Sequence, residues 1–216
     1  MRINKYLAGK GYSTRVGADE LVKKGRVFIT GRLAVLGDKV SESDVVEVRG
    51  KGKPENFLYF AYHKPRGVET GSPKKDVFPI GRLDKDSSGL LILTNDGRVT
   101  DRLLNPDYAH EKEYLVKVKS NLRPSFKTHM EQGVEIEGYV TKPAKVKILN
   151  DRAFRIILTE GKKHQIRRMV VALHNEVAEL KRERVMNVEL GNLAEGSTRK
   201  IEGEELETFH KNLNLK

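Results

Sequence analysis

Residues Ile80 to Gly97, IGRLDKDSSGLLILTNDG, decide how this chain is read. A charged stretch, Gly81-Arg82-Leu83-Asp84, passes through small residues at Ser87, Ser88 and Gly89 into the apolar run Leu90 to Leu93. Four consecutive aliphatic residues bounded by Gly89 and by Asn95-Asp96-Gly97 predict a strand covered on both faces. Asp84 then stands at the mouth of a buried strand, a carboxylate between two cations. On spacing alone a plain surface turn stays open, its aspartate capping a backbone amide. A calcium loop fits only by half. Asp84, Asp86, Ser88 and Gly89 have the right intervals, but Asn95 holds the twelfth place, where a bidentate Glu is needed, and no entering helix precedes.

The chain around this segment is long enough for one large domain and one small one. Of its 216 residues 38% are hydrophobic, enough for a packed core. The formal charge of +11 favours an anionic partner, nucleic acid or an acidic membrane surface. No apolar run approaches the ~18 residues of a membrane span, and Met1 leads into a polar helical segment without a signal-peptide core, so a cytoplasmic protein is expected. There is no cysteine, which excludes disulfides and thiolate chemistry, and the six histidines show no zinc spacing. Catalysis is left to carboxylate, imidazole, tyrosine or cations.

Residues 1–50 read as a compact basic module. Ile3, Tyr6 and Leu7 recur at helical spacing; Ser13 can cap a second helix carrying Ala18, Leu21 and Val22, which Gly25 can end. Val27-Phe28-Ile29, a Thr30-Gly31 turn, and Val45, Val46 and Val48 predict a small sheet. Residues 1–26 hold seven Lys or Arg against two acids, the natural phosphate-binding face. Residues 51–56 read as a linker, and residues 57–216 as the larger domain.

Within that domain Phe57 to His63 predicts an interior strand. Gly97 to Leu104 suits a helix, and Tyr114, Val116 and Val118 alternate with lysines in a half-exposed strand. A short helix with Phe126 and Met130 ends at Gly133, and Val146–Leu149 and Phe154–Leu158 form a hairpin around Asn150-Asp151. A cationic loop with Lys162, Lys163, Arg167 and Arg168 leads into a helix whose buried stripe is Ile166, Met169, Val170 and Leu173. A strand at Val185–Leu190 and a last helix with Leu206, Phe209 and Leu213 complete a mixed α+β unit with a mainly antiparallel sheet.

Four separated segments carry a resemblance. GRLDKDSSGLLILTNDG, HKPRG at His63 to Gly67, HEKEYLV at His110 to Val116 and EGKKHQIRRM at Glu160 to Met169 resemble, in order, the motifs of pseudouridine synthases of the RsuA branch. Within that branch KDSSG, HEKEY and the late RERVMN look most like the RluF members. The resemblance implies a long curved central sheet flanked by helices, and a reaction that detaches uracil from its ribose, rotates it and rejoins the sugar to carbon five. No metal or organic cofactor is implied. Residues 1–50 resemble the ribosomal-protein S-four type RNA-binding domain through Arg2-Ile3-Asn4-Lys5-Tyr6-Leu7, Gly11, Arg15, Ala18-Asp19, Gly25-Arg26-Val27, Gly31, Gly37-Asp38 and Asp44-Val45-Val46. Arg15-Val16-Gly17 departs from that domain's usual pair of arginines and a glutamate, and Gly17 weakens the second helix by ~1 kcal/mol relative to Ala.

By this resemblance Asp84 is the nucleophile, Arg167 of HQIR the cation that keeps it charged, and Tyr114 the ring that stacks on the flipped base. Without it, Arg167 reads equally as a phosphate contact and Tyr114 as core. Arg82 matches the residue that fills the space left by the flipped uridine, offsetting an unstacking cost of a few kcal/mol. Leu180 lies near the family's apolar position beneath the base and reads equally as a core leucine, and His164 reads as structural. Arg2, Lys5, Arg15, Arg26, Arg82, Lys162, Lys163 and Arg168 are the expected RNA contacts. Two function classes stand: an RNA-modifying enzyme, acting as a monomer on a stem-loop of large-subunit ribosomal RNA or alternatively on small-subunit or transfer RNA, and a non-catalytic RNA-binding or ribosome-assembly factor. An acid inside a basic cleft favours the enzyme.

Overall fold

In the computed structural model, residues 1–50 and 56–215 are described; of the expected linker at 51–56, all but Asn56 lies outside the described residues. Helices α1 (Ile3–Gly9) and α2 (Arg15–Lys23) pack on strands β1 (Val27–Ile29), β2 (Arg32–Leu33) and β3 (Val46–Val48), ordered β2-β1-β3 and antiparallel. Ile3, Leu7, Ala18, Val22, Val27 and Ile29 form their shared core. Thr30 and Gly31 both have positive φ, 48° and 79°, as a two-residue hairpin turn requires. The cap of α2 is Thr14 and not the expected Ser13. Thr14 is the last extended residue before the helix, and its Oγ1 accepts from the Gly17 amide at 2.9 Å. The Ser13 hydroxyl instead lies where a Cβ on Gly17 would stand, 2.0 Å away, so alanine there gains helix propensity only if Ser13 rotates.

The larger unit begins with β4 (Tyr59–Lys64), β5 (Phe78–Ile80), β6 (Ser88–Thr94), α3 (Arg98–Leu104) and β7 (Lys112–Val118). It continues through α4 (Phe126–Gln132), a small hairpin of β8 (Glu135–Ile136) and β9 (Tyr139–Val140), β10 (Lys145–Asn150) and β11 (Ala153–Leu158). Then come α5 (Gln165–Ala172), β12 (Val177–Val185), β13 (Val188–Glu189), β14 (Thr198–Lys200) and α6 (Gly203–Asn212). Nine strands make one sheet along the path β10-β11-β7-β12-β6-β4-β14, with β13 on β12 and β5 on β6. The pairs are antiparallel except β12 with β6, so the mixed α+β architecture with a mainly antiparallel sheet is as expected.

Strand β6 is covered on both faces. Leu90 and Ile92 pack with Tyr59, Val99 and Phe209, while Leu91 and Leu93 pack with Phe60, Tyr62 and Leu83. All four are at most 1% exposed, worth roughly 1.5–3 kcal/mol each against solvent exposure. A further core under β7, β11 and β12 joins Val116, Phe154 and Ile156 to Met169 of α5. The strand expected at Val185–Leu190 is divided by a turn at Met186, φ 54°, into the end of β12 and β13. Most of β12 was not expected, because Lys181 to Arg184 show neither strand nor helix periodicity. Its charges are matched from neighbouring strands: Arg184 donates to Glu113 at 2.9 Å and to Glu111 at 3.1 Å, and Arg155 to Glu183 at 2.9 Å.

The N-terminal unit meets the larger one at the start of α3. A Cβ on Gly97 would stand 2.7 Å from the Ala8 carbonyl oxygen and 2.9 Å from that of Ser13. Next to it Asp96 is fully buried, bonded to the Tyr59 hydroxyl at 2.6 Å and to Arg98 Nη2 at 2.7 Å. Burial opposes its ionisation, but the Arg98 and Tyr59 bonds hold its carboxyl below the ordinary range. Among the described residues no helix is long and apolar enough to cross a membrane.

Candidate active site

Asp84 lies in the loop between β5 and β6, and its backbone is fixed from two sides. The Thr70 hydroxyl accepts from the Leu83 amide at 3.0 Å and donates to the Leu83 carbonyl at 2.7 Å. The Asp84 carbonyl accepts from the Ser87 amide at 3.0 Å, closing the turn. Behind it Lys64 is fully buried and its Nζ donates to the carbonyls of Val68 at 2.6 Å, Pro65 at 2.8 Å and Lys85 at 3.4 Å. Burial lowers the Lys64 pKa, and the nearby charges of Asp84 and Asp86 act the other way. The lysine of the His63–Gly67 segment thus holds the Asp84 loop to the preceding one.

Helix α5 supplies two groups to the carboxylate. Arg167 Nε is 3.9 Å from Asp84 Oδ2, and its Nη2 donates to Ser87 Oγ at 3.0 Å and to the Asp86 carbonyl at 3.1 Å. These two bonds aim the guanidinium along the loop. His164 Nε2 is 3.4 Å from Asp84 Oδ1. The sequence reading left His164 as structural; it begins α5 in a left-handed conformation, φ 54°, which no residue pattern announces. The loop ahead of it is anchored by buried Glu160, which accepts from Gln165 Nε2 at 2.7 Å, from the Lys142 amide at 3.0 Å and from the Tyr139 hydroxyl.

A cavity of about 510 Å³ opens from Asp84 between α5 and the sheet. Tyr114, Leu158, Ile166 and Leu180 give it an apolar floor, and Lys112, Arg182, Lys162 and Lys163 surround it with positive charge. Tyr114 packs against two cores at once, and its hydroxyl makes no hydrogen bond among the described residues. Two of these cations were not singled out from the sequence. Lys112 precedes Tyr114 by two residues on β7; burial, reinforced by the Arg182 charge, lowers its pKa to about 8. Arg182 is 5% exposed and donates from Nε to the Leu90 carbonyl at 2.8 Å, at the crossing of β12 with β6. Alternation from Tyr114 could have found Lys112; nothing local marks Arg182.

The expected RNA contacts separate into groups. Arg82, Lys162 and Lys163 line the cavity. Arg2, Lys5, Arg15 and Arg26 are exposed, their side chains without hydrogen bonds or ion pairs among the described residues. Arg168 is not on the cavity; its Nη1 is 3.1 Å from Glu137. Among the described residues no cluster of three or more His, Cys, Asp or Glu could hold a metal ion.

On a mostly antiparallel sheet, a carboxylate flanked by arginine and histidine thus faces a cavity floored by tyrosine and leucine. Residues 58–172 match the family described as RNA pseudouridylate synthase, and the chain belongs to that family and is an RNA pseudouridine synthase. It is 40% identical to the dual-specificity RNA pseudouridine synthase RluF of Escherichia coli K12, over 95% of this chain and 77% of that protein. It is 36% identical to the ribosomal large subunit pseudouridine synthase B of Bacillus subtilis, over 93% of this chain and 91% of that one. A crystal structure of a pseudouridylate synthase superposes with a TM-score of 0.72 at 28% identity, covering 99% of both chains.

Proposed function

We propose that this synthase converts one uridine in a stem-loop of large-subunit ribosomal RNA, in the cytoplasm and as a monomer, with Asp84 as nucleophile. The observation that carries the reading is the placement of Asp84 between Arg167 and His164 at the mouth of the cavity holding Tyr114 and Leu180. The flipped uracil stacks on Tyr114 over Leu180, and Arg82 enters the space it leaves in the stem. The bond from the ribose to nitrogen one breaks, the bond to carbon five forms, the hydrogen on carbon five leaves as a proton and nitrogen one takes up a proton in its place; nothing is oxidised or reduced. Residues 1–50 act as an S-four type RNA-binding domain through Arg2, Lys5, Arg15 and Arg26. The ribosomal target is supported by the likeness to the ribosomal large subunit pseudouridine synthase B of Bacillus subtilis.

The test is release of tritium to water from RNA labelled at carbon five of uridine, using ribosomal and transfer RNA separately. Wild type is expected to release label from large-subunit RNA without added metal or nucleotide. Asp84→Asn keeps the shape, removes the nucleophilic charge and should release only background while still binding RNA. Wild-type release by Asp84→Asn would overturn the assignment, and release from transfer RNA alone would overturn the ribosomal target.

A further inference from the structure

A second cavity of about 410 Å³ adjoins the first and shares with it Gly81, Arg82, Leu83, Asp84 and His164. The loop carrying Asp84 lines both. The second is completed by Glu69, Thr70 and Pro79, with Lys85 at the edge. This second cavity is held in shape by bonds already described: the Thr70 hydroxyl clamps both backbone groups of Leu83, and the Lys64 ammonium binds the carbonyls of Val68 and Lys85 on its two sides.

Glu69 is the feature the uridine reaction leaves unused. It is exposed in a chain of net charge +11, and among the described residues its carboxylate forms no hydrogen bond or ion pair, although Lys85 lines the same cavity. A free carboxylate repels RNA phosphates, so at an RNA-facing cavity it is useful only toward a hydrogen-bond donor. On a nucleobase edge that donor is an exocyclic amino group, the partner Asp and Glu accept from in base readout. Asp84 lines both cavities, so a strand that places its target base in the first brings its neighbouring nucleotide beside the second.

We propose that the second cavity binds the nucleobase adjacent to the target uridine and selects one with an amino group, adenine, cytosine or guanine, through Glu69, with Lys85 on its phosphate. The Pro79 ring offers a face for stacking. The inference rests on the synthase reading, and the experiment separates the two. A pool of RNA hairpins, each with a fixed target uridine and both flanking positions randomised, is treated with enzyme, and the molecules converted at the target are sequenced after pseudouridine-specific labelling. Wild type should deplete uridine about tenfold at one flanking position, Glu69→Ala should flatten the preference, and Glu69→Lys should turn it toward uridine and guanine, whose oxygens accept. Conversion without flanking preference, or an unchanged preference in both variants, overturns the second cavity while leaving the synthase reading intact. No conversion of any hairpin or of ribosomal RNA overturns both. Single hairpins with a 2′-deoxyribose at the flanking position decide the donor: a loss equal to that of the base swap assigns Glu69 to the sugar hydroxyl and overturns base selection.

Discussion

Gly89 and Arg182 face each other across the parallel pairing of β6 and β12, so closely that a Cβ on Gly89 would stand 2.3 Å from the Arg182 carbonyl oxygen. Gly89 has φ 111°, open to glycine and strained for any side chain. Five residues before it is Asp84; two residues before Arg182 is Leu180, and β12 pairs Arg182 with Tyr114. This close approach joins the half of the sheet bearing the acid to the half bearing the tyrosine. Gly89→Ala should therefore cost on the order of 3–5 kcal/mol, seen as a lower urea midpoint with an unchanged slope. A midpoint within error of wild type would show that the strands separate freely.

Tyr114→Phe should keep RNA affinity and slow turnover, because the ring still stacks while the hydroxyl, which has no hydrogen-bond partner among the described residues, is free to assist proton removal in wild type only. Tyr114→Ala should lose both, with stacking worth ~1–3 kcal/mol per base. If affinity and turnover in Tyr114→Ala both equal wild type, the ring has no contact with the base.

Lys112 makes a pH prediction with a definite sign. Its folded pKa is lowered to about 8, against an unfolded value near 10.5. Between those values the unfolded chain binds more protons than the folded one, so the lysine makes stability rise with pH from about 8 to 10.5. An RNA phosphate in the cavity favours the ammonium, so RNA binding near pH 8 should take up a proton and weaken as pH rises through 8. Titration calorimetry in buffers of different ionisation enthalpy measures that proton, and Lys112→Met should abolish it. Equal proton uptake by the variant would assign the effect elsewhere.

Strands β4 and β6 and the helices with a single buried stripe were legible because one physical effect, burial, wrote their pattern. Asp84, Tyr114 and Arg167 were picked out by resemblance; in the fold Arg167 Nε lies 3.9 Å from Asp84, and Tyr114 lines the same cavity as Asp84. Strand β12 was not legible. Its charges are satisfied by Glu111, Glu113 and Arg155, far away in sequence, so no local period survives. His164 was missed for a related reason: the left-handed turn that brings it to Asp84 is imposed by Glu160 and Gln165 anchoring the loop, a tertiary cause. Thr14 displaced Ser13 as cap because one residue of register decides which hydroxyl reaches the amide.

The N-terminal face makes the last prediction. Arg2, Lys5, Arg15 and Arg26 are exposed and free of ion pairs among the described residues, so each can meet a phosphate without breaking a bond inside the protein. Replacing all four with glutamine leaves the shared core of Ile3, Leu7 and Val22 untouched, so the fold should persist with an unchanged melting temperature. Each lost phosphate contact removes roughly 0.7–0.9 from the slope of log affinity against log salt, so four should flatten it by about 3. The preference for particular sequences around the uridine should stay as it is, because phosphate contacts position and base contacts specify. Binding is measured at several salt concentrations with one RNA. An unchanged slope would mean that these cations face solvent in the complex and that the cavity rim, Lys162 and Lys163 above all, carries the electrostatic attraction instead.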